Sequence, residues 1–306
     1  MIEESASDLI DSFAQALRIE LSQKRNSNIT LQLLRRTSLT PDCNLVFLVN
    51  DGTEKLVAYV SAPGYPTKVQ NDQRLAQSFR SALSSPAVAS VVPEPLEQGS
   101  VLGATYAVVP FYRPIATRRG LGRFECWRLA PHVLRWLEEL VTSSNRRTTI
   151  DGKTRYEECL LALLQDVRVQ SDIRGRARIA IEEVQHSHAL PLVPMHGDMW
   201  KGNVLWARQT EAFPFVMIDW GSSSVDGFPF FDLVRLADSF SISSRQFSSA
   251  IKSQCAALSL RPEQTFTCIL AALGEIWINR NEFPIDRFNA MGSRCLALWQ
   301  RGLASL

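Results

Sequence analysis

At 306 residues the chain is long enough to bury a large core, either as one big domain or as two lobes of ordinary size. Lys and Arg total 33 against 31 Asp and Glu, and a formal charge of +2 excludes a strongly electrostatic nucleic-acid binder. With 45% hydrophobic and 21% charged residues and no low-complexity stretch, nearly all of the chain is expected to fold.

The N-terminus, Met1-Ile2-Glu3-Glu4-Ser5, is acidic and lacks the basic and apolar regions of a secretory signal. Leu9, Phe13, Leu17 and Leu21 recur every fourth residue, which predicts an amphipathic helix over 5–22. Three short runs with strand character follow: Ile29 to Leu34, Leu45 to Val49 and Leu56 to Val60. Asn50-Asp51-Gly52-Thr53 joins the last two, and Asp-Gly between apolar runs marks a hairpin.

Residues 68–83 read as a helix, ended by Ser85-Pro86 and Val92-Pro93-Glu94-Pro95, and a last N-terminal strand, Tyr106 to Val109, runs into Pro110. Beyond it the periodicity is mainly helical: Trp127 to Val141, Tyr156 to Val167, Arg174 to Val184 and most of 232–303. The exceptions are two short strand-like runs, Val204 to Trp206 and Phe215 to Ile218, around a polar loop.

The longest basic runs, Arg118-Arg119 and Arg146-Arg147, read as solvated loops. Cysteines 43, 126, 159, 255, 268 and 295 are scattered without a Cys-x-x-Cys pair, which favours buried free thiols over a zinc site. No apolar run approaches the roughly 18 residues of a membrane span. A cytoplasmic protein without a membrane or nucleic-acid partner is expected, and its oligomeric state stays open.

The segment richest in chemistry is Val193-Pro194-Met195-His196-Gly197-Asp198-Met199-Trp200-Lys201-Gly202-Asn203-Val204-Leu205-Trp206, followed by Val216-Met217-Ile218-Asp219-Trp220-Gly221. Phosphoryl transfer from ATP asks little covalent work of a protein. It needs a carboxylate to orient the attacking hydroxyl and oxygen ligands for magnesium. Asp198, an Asn five positions on, and Asp219 at the end of the second strand-like run supply that set. The same residues also admit a plainer reading, a core histidine and a turn aspartate.

This order of residues resembles the catalytic loop and metal aspartate of kinases. His-Gly-Asp in particular resembles the small-molecule phosphotransferases of the aminoglycoside, choline and fructosamine kinase group. Asp226-Gly227-Phe228-Pro229-Phe230-Phe231-Asp232-Leu233 is similar to the segment that follows the metal aspartate in that family, with its first two residues in reversed order. The resemblance implies an α+β, two-lobed protein kinase-like fold, with a small antiparallel-sheet lobe over 1–110 and a larger, mainly helical lobe over 111–306.

It also implies roles. Asp198 would be the base or hydroxyl-orienting group, and Asn203 and Asp219 would hold Mg2+. His196 would be a scaffold for the loop, with Lys201 either reaching the transferred phosphate or standing exposed. Asp232 would cap the next helix and brace the loop. Tyr106, Val108 and Phe111 would form the strand end against which the adenine of ATP lies.

Two departures stand out. The turn from Arg35 to Asn44 contains no glycine, leaving Thr37, Ser38 and Thr40 as substitutes. The strand that carries the phosphate lysine in kinases holds Tyr59, so a displaced lysine such as Lys68 is the candidate, and Gln73 and Gln77 stand where a helix glutamate is expected.

The reading is therefore an ATP- and Mg2+-dependent kinase for a hydroxyl of a small polar metabolite such as a sugar, an amino sugar or an amino alcohol. A neutral sugar is favoured over an aminoglycoside, bound near Glu275, Trp277, Asn279, Arg280 or Glu282. The second reading is a pseudokinase-like nucleotide-binding module with an eroded phosphate clamp.

Overall fold

The computed structural model describes residues 2–35, 44–143, 150–187, 190–207, 212–279 and 283–306. Arg146, Arg147, Arg280, Glu282 and Cys43, and the Thr37, Ser38 and Thr40 turn, lie outside the described residues. Met1–Gln77 with Pro93–Arg113 form one compact unit, and Ser78–Val92 with Pro114–Leu306 form a second. Residues 78–92, grouped in the sequence reading with the first part, thus cluster with the second.

In the first unit, α1 (Ile2–Arg25) buries the stripe Phe13, Leu17 and Leu21. It does so against one face of an antiparallel sheet of β1 (Thr30–Arg35), β2 (Leu45–Asn50), β3 (Lys55–Val60), β4 (Glu97–Val101) and β5 (Ala104–Pro110), in the order β1-β2-β3-β5-β4. Alternate residues of the strands meet that stripe: Leu45, Phe47 and Val49, then Leu56, Ala58 and Val60, then Tyr106 and Val108. Each such fully buried Leu, Val or Phe contributes roughly 1.5–3 kcal/mol.

The expected hairpin is present. Gly52 takes the left-handed φ of +86° between β2 and β3, and the Asp51 carboxylate accepts from the Thr53 hydroxyl and from the amides of Thr53 and Glu54. Those bonds hold the Asp51 pKa below the ordinary carboxylate value. Arg25, in the last turn of α1, donates to Asp51, Glu54 and Glu97.

β4 has no counterpart in the sequence reading. Its Glu97-Gln98-Gly99-Ser100 run is polar because it lies at the sheet edge with alternate residues half-buried. The helix at 68–83 is α2 (Lys68–Ala82), and a short α3 (Pro86–Ala89) follows, with Ser85 as its N-cap.

After a two-residue strand, β6 (Arg113–Pro114), the second unit continues with α4 (Arg119–Ser143), α5 (Ile150–Gln165) and α6 (Ser171–His186). Four short strands come next: β7 (Val193–Met195), β8 (Val204–Trp206), β9 (Phe215–Met217) and β10 (Ser224–Gly227). The chain ends in α7 (Phe231–Phe240), α8 (Ser244–Leu258), α9 (Thr265–Ile278) and α10 (Ile285–Leu303).

α9 is apolar on nearly every side, from Cys268 to Gly274, because it runs through the middle of the helical layer. Its Gly274 crosses α5 so closely that a Cβ there would lie 2.1 Å from the Cys159 carbonyl oxygen. β8 and β9 form the expected hairpin, with Val204 opposite Met217. β7 and β10 pair antiparallel on either side of it in sequence. Among the described residues no helix is long and apolar enough to cross a membrane.

Candidate active site

The loop that carries His196, Asp198 and Asn203 is slung between β7 and β8, and Asp219 follows β9. Buried β7 leads the chain into His196, whose side chain is wholly inaccessible. Its Nε2 donates to the Ile218 carbonyl at 3.0 Å and its Nδ1 accepts from the Asp198 amide at 3.2 Å, which fixes the neutral tautomer by the network. The ring packs on Trp220, with centroids 4.5 Å apart.

Gly197 turns the loop with φ +82°, and a Cβ at this position would lie 2.3 Å from the Ser222 carbonyl oxygen. No larger residue fits between His196 and Asp198 without displacing that backbone.

Asp198 is half-buried and held on both carboxylate oxygens. Asn203 Nδ2 donates to Oδ2 at 3.0 Å and to the Asp198 carbonyl at 2.9 Å, and Arg235 Nη2 donates to Oδ1 at 3.0 Å. Since its nitrogen is engaged there, Oδ1 is the Asn203 atom that can face a cation.

Asp219 is placed through its neighbour. The Ile218 amide donates to the Asn203 carbonyl at 3.0 Å, while the Ile218 carbonyl takes the His196 proton. The residue before Asp219 is therefore tied to both ends of the loop. Asp219 itself is exposed and left-handed, at φ 66° and ψ 63°, a conformation that costs a non-glycine residue about 1–3 kcal/mol.

The loop is braced from below by one face of α7. The Asp232 carboxylate accepts from the His196 amide at 2.6 Å and the Gly197 amide at 3.0 Å. Arg235 grips Asp198, and Ser239 Oγ accepts from the Lys201 amide at 3.0 Å. The spacing 232, 235, 239 is one helical face. Burial pushes the Asp232 pKa up, against the pull of the two amides that bond its carboxylate.

The expected bracing by Asp232 is thus observed, but its capping of the helix is not. Phe230 is the N-cap, with φ 69°, and Asp232 lies inside the first turn. The reversed Asp226-Gly227 order also has a cause: a Cβ on Gly227 would lie 2.4 Å from the Met195 Cβ across the β7–β10 pair.

Sequence reasoning missed Arg235 and Ser239. The signal was available in their spacing from Asp232, but neither belongs to a motif.

A family model described as the phosphotransferase enzyme family matches residues 43–263. The chain belongs to that family. Among solved structures, the phosphotransferase is similar in fold to a thermostable mutant of aminoglycoside phosphotransferase APH(4)-Ia in a ternary complex with AMP-PNP and hygromycin B. That pair shares 16% identity over 94% of this chain and 99% of that one, at a TM-score of 0.58.

A choline/ethanolamine kinase family protein from Mesorhizobium loti shares 18% identity over 90% of this chain and 91% of its own, at 0.51. The GDP complex of wild-type aminoglycoside 2'-phosphotransferase-IIIa shares 12% over 90% and 93%, also at 0.51. At these identities the likeness establishes the fold, a protein kinase-like one, as expected. Comparison with curated proteins gives no sequence match.

The residues expected at the nucleotide have partners within the protein. Tyr106 and Val108 face the core under α1, and the Tyr106 hydroxyl bonds Lys24 at 2.8 Å and Glu20 at 3.3 Å. The Val108 carbonyl accepts from Leu96, and the Phe111 amide donates to Lys55. The sheet itself uses these two groups. Lys68 stands at the start of α2, 2.6 Å from the Asp72 carboxylate.

Glu275 and Trp277, expected near the acceptor, have protein partners in the helical layer. Glu275 is ion-paired with Arg155, and burial raises its pKa, while Trp277 packs buried against Phe288. Of the three tryptophans near the loop, Trp220 packs against His196 and Trp206 is half-buried. Trp200 is 39% exposed, its ring lying over Gly202.

Proposed function

We propose that this phosphotransferase moves the γ-phosphoryl group of ATP to a hydroxyl of a small polar acceptor. The carrying observation is Asp198, half-open to solvent yet held on both oxygens by Asn203 and Arg235. In this reading the acceptor hydroxyl passes its proton to Asp198 as its oxygen bonds the γ-phosphorus, and the bond to the β–γ bridging oxygen breaks to release ADP. His196 bonds the backbone of Asp198 and Ile218 and acts as scaffold.

Asn203 Oδ1 and the Asp219 carboxylate are hard oxygen donors, the set that suits Mg2+. Among the described residues no cluster of three or more His, Cys, Asp or Glu competes with them for a softer metal. When bound, Mg2+ neutralises phosphate charge. Lys68, ion-paired with Asp72, is the lysine assigned to the nucleotide phosphates.

Tyr59 on β3, where kinases carry their lysine, favours a second reading: a nucleotide-binding module without efficient transfer. One thermal-shift series separates the two. Millimolar Mg2+-ATP is expected to raise the melting temperature, since a ligand at about 100 Kd adds about 2.7 kcal/mol, and Asp219→Ala is expected to remove the shift. A shift without phosphate transfer to any hydroxyl acceptor supports the binding module. No shift at all defeats both readings.

A further inference from the structure

Beside the catalytic loop, within the second unit, lies a cavity of about 500 Å³ that none of the assignments above uses. Its volume is that of an ordinary small-molecule site. It is built by the segment before α4, the first turns of α4, Lys201 and the end of α7. Lys201 belongs to both places: it stands three positions after Asp198, and the Ser239 hydroxyl that pins its amide also lines the cavity. A group seated here lies next to the loop that would do the chemistry.

The charge of the lining is one-sided. Arg118, Arg119, Arg123 and Lys201 contribute four cations, and no carboxylate lines the cavity among the described residues, although the whole chain carries only +2. Thr117 and Ser241 add hydroxyls. The N-terminus of α4, a helix of 25 residues, adds the partial positive end of its dipole.

The wall is also held in place. The buried Glu125 carboxylate accepts from the Ala116 amide at 2.7 Å, and Gly122 packs so tightly that a Cβ would lie 2.2 Å from the Ala116 carbonyl oxygen. Single exposed arginines are commonly only solvated. Four cations converging on one fixed concavity with no acid among them form a field that selects anions and rejects cations.

Resting on the phosphotransferase reading, we propose that this cavity binds an anionic group of the acceptor, a phosphate or a carboxylate. The substrate class is then a hydroxylated small metabolite that already carries negative charge, in place of the neutral sugar expected from sequence. A polycationic aminoglycoside is disfavoured by the same field.

Two measurements test this apart from the parent reading. Inorganic phosphate is expected to raise the melting temperature, with the shift lost in R119Q/R123Q and retained in R178Q, an exposed-arginine control on α6. The melting temperature of each variant without ligand reports that it is folded. In turnover with Mg2+-ATP, sugar monophosphates and sugar acids are offered alongside neutral sugars and kanamycin. The charged acceptors are expected to give at least tenfold higher kcat/KM, and R119Q/R123Q is expected to raise KM at least tenfold, with the loss falling on KM.

Which charged arm is accepted identifies the group. Equal or better turnover of neutral or cationic acceptors overturns the proposal, as does a phosphate shift that R119Q/R123Q leaves intact. If Mg2+-ATP stabilises the protein and phosphate does not, the cavity assignment alone fails. If phosphate stabilises through Arg119 and Arg123 while Mg2+-ATP does nothing, the anion site stands and the phosphotransferase reading falls.

Discussion

Asp198 Oδ1 faces Arg235 and Oδ2 faces Asn203, each at 3.0 Å, so the side chain's orientation is set by two partners from different elements. Asp198→Asn keeps the shape and removes the base. It is expected to lower kcat by about 10²–10⁴ while Mg2+-ATP still raises the melting temperature. Unchanged turnover would take Asp198 out of the reaction.

In the proposed reaction Arg235 acts by positioning Asp198. Arg235→Gln is expected to lower kcat about tenfold or more with little change in stability, and Arg235→Lys to recover part of it. The recovery is partial because an ammonium keeps the charge but not the planar fork. Equal losses in both variants, accompanied by a lower melting temperature, would show a merely structural arginine.

The contrast with sequence reading lies in distance along the chain. Asn203 is legible because a five-residue offset survives as a motif. Arg235, 37 positions from Asp198, becomes visible only when α7 is laid beneath the loop.

At the scale of elements, α7 is what makes the loop from His196 to Asn203 a fixed object. Its Asp232 satisfies two buried amides, those of His196 and Gly197, that have no ladder partner. Asp232→Ala leaves both unsatisfied, at roughly 1–3 kcal/mol each. A matching drop in the urea midpoint is expected, along with loss of activity from a slackened loop. Asp232→Asn, which retains an acceptor oxygen, is expected to fall between. An unshifted midpoint in the Ala variant would mean that the loop is held by β7 and β8 alone.

The strands differ in how legible they are for a physical reason. β2, β3 and β5 are apolar because the sheet buries them, and their composition announces them. β4 is polar at a sheet edge, and β7 and β10 are three- and four-residue pieces containing Pro194 and Asp226-Gly227, too short for any periodicity to register.

On the scale of the whole molecule, the mixed organisation was legible because amphipathic helices of this length write their period plainly. The cavity at Arg118, Arg119, Arg123 and Lys201 was not. It is assembled from residues 115–126, 201 and 239–241, far apart along the chain, and arginine pairs in isolation look like solvent-facing loops.

The scattered cysteines show the opposite case. A lack of paired spacing sufficed to read them as buried free thiols, and Cys126, Cys159, Cys255, Cys268 and Cys295 are buried and unpaired in disulfides. Burial pushes Cys159 and Cys268 from the ordinary thiol value of 9.0 up to about 12, and Cys255 and Cys295 up to about 11. Tyr156, beside Cys268, is raised as well.

A thiol with a raised pKa in the folded chain holds its proton more tightly there than when unfolded. Its contribution is intact below pH 9, and it is lost as pH rises from 9 towards the folded values of about 11 to 12. The melting temperature is therefore expected to fall steadily over that window. A Cys268→Ala/Cys295→Ala variant should fall less steeply from its own starting point. At pH 8, brief iodoacetamide treatment should leave these four thiols unmodified in the native protein and alkylate them in guanidinium chloride. Rapid native alkylation of Cys268, in the middle of α9, would mean that the helical layer opens far more readily than its packing implies.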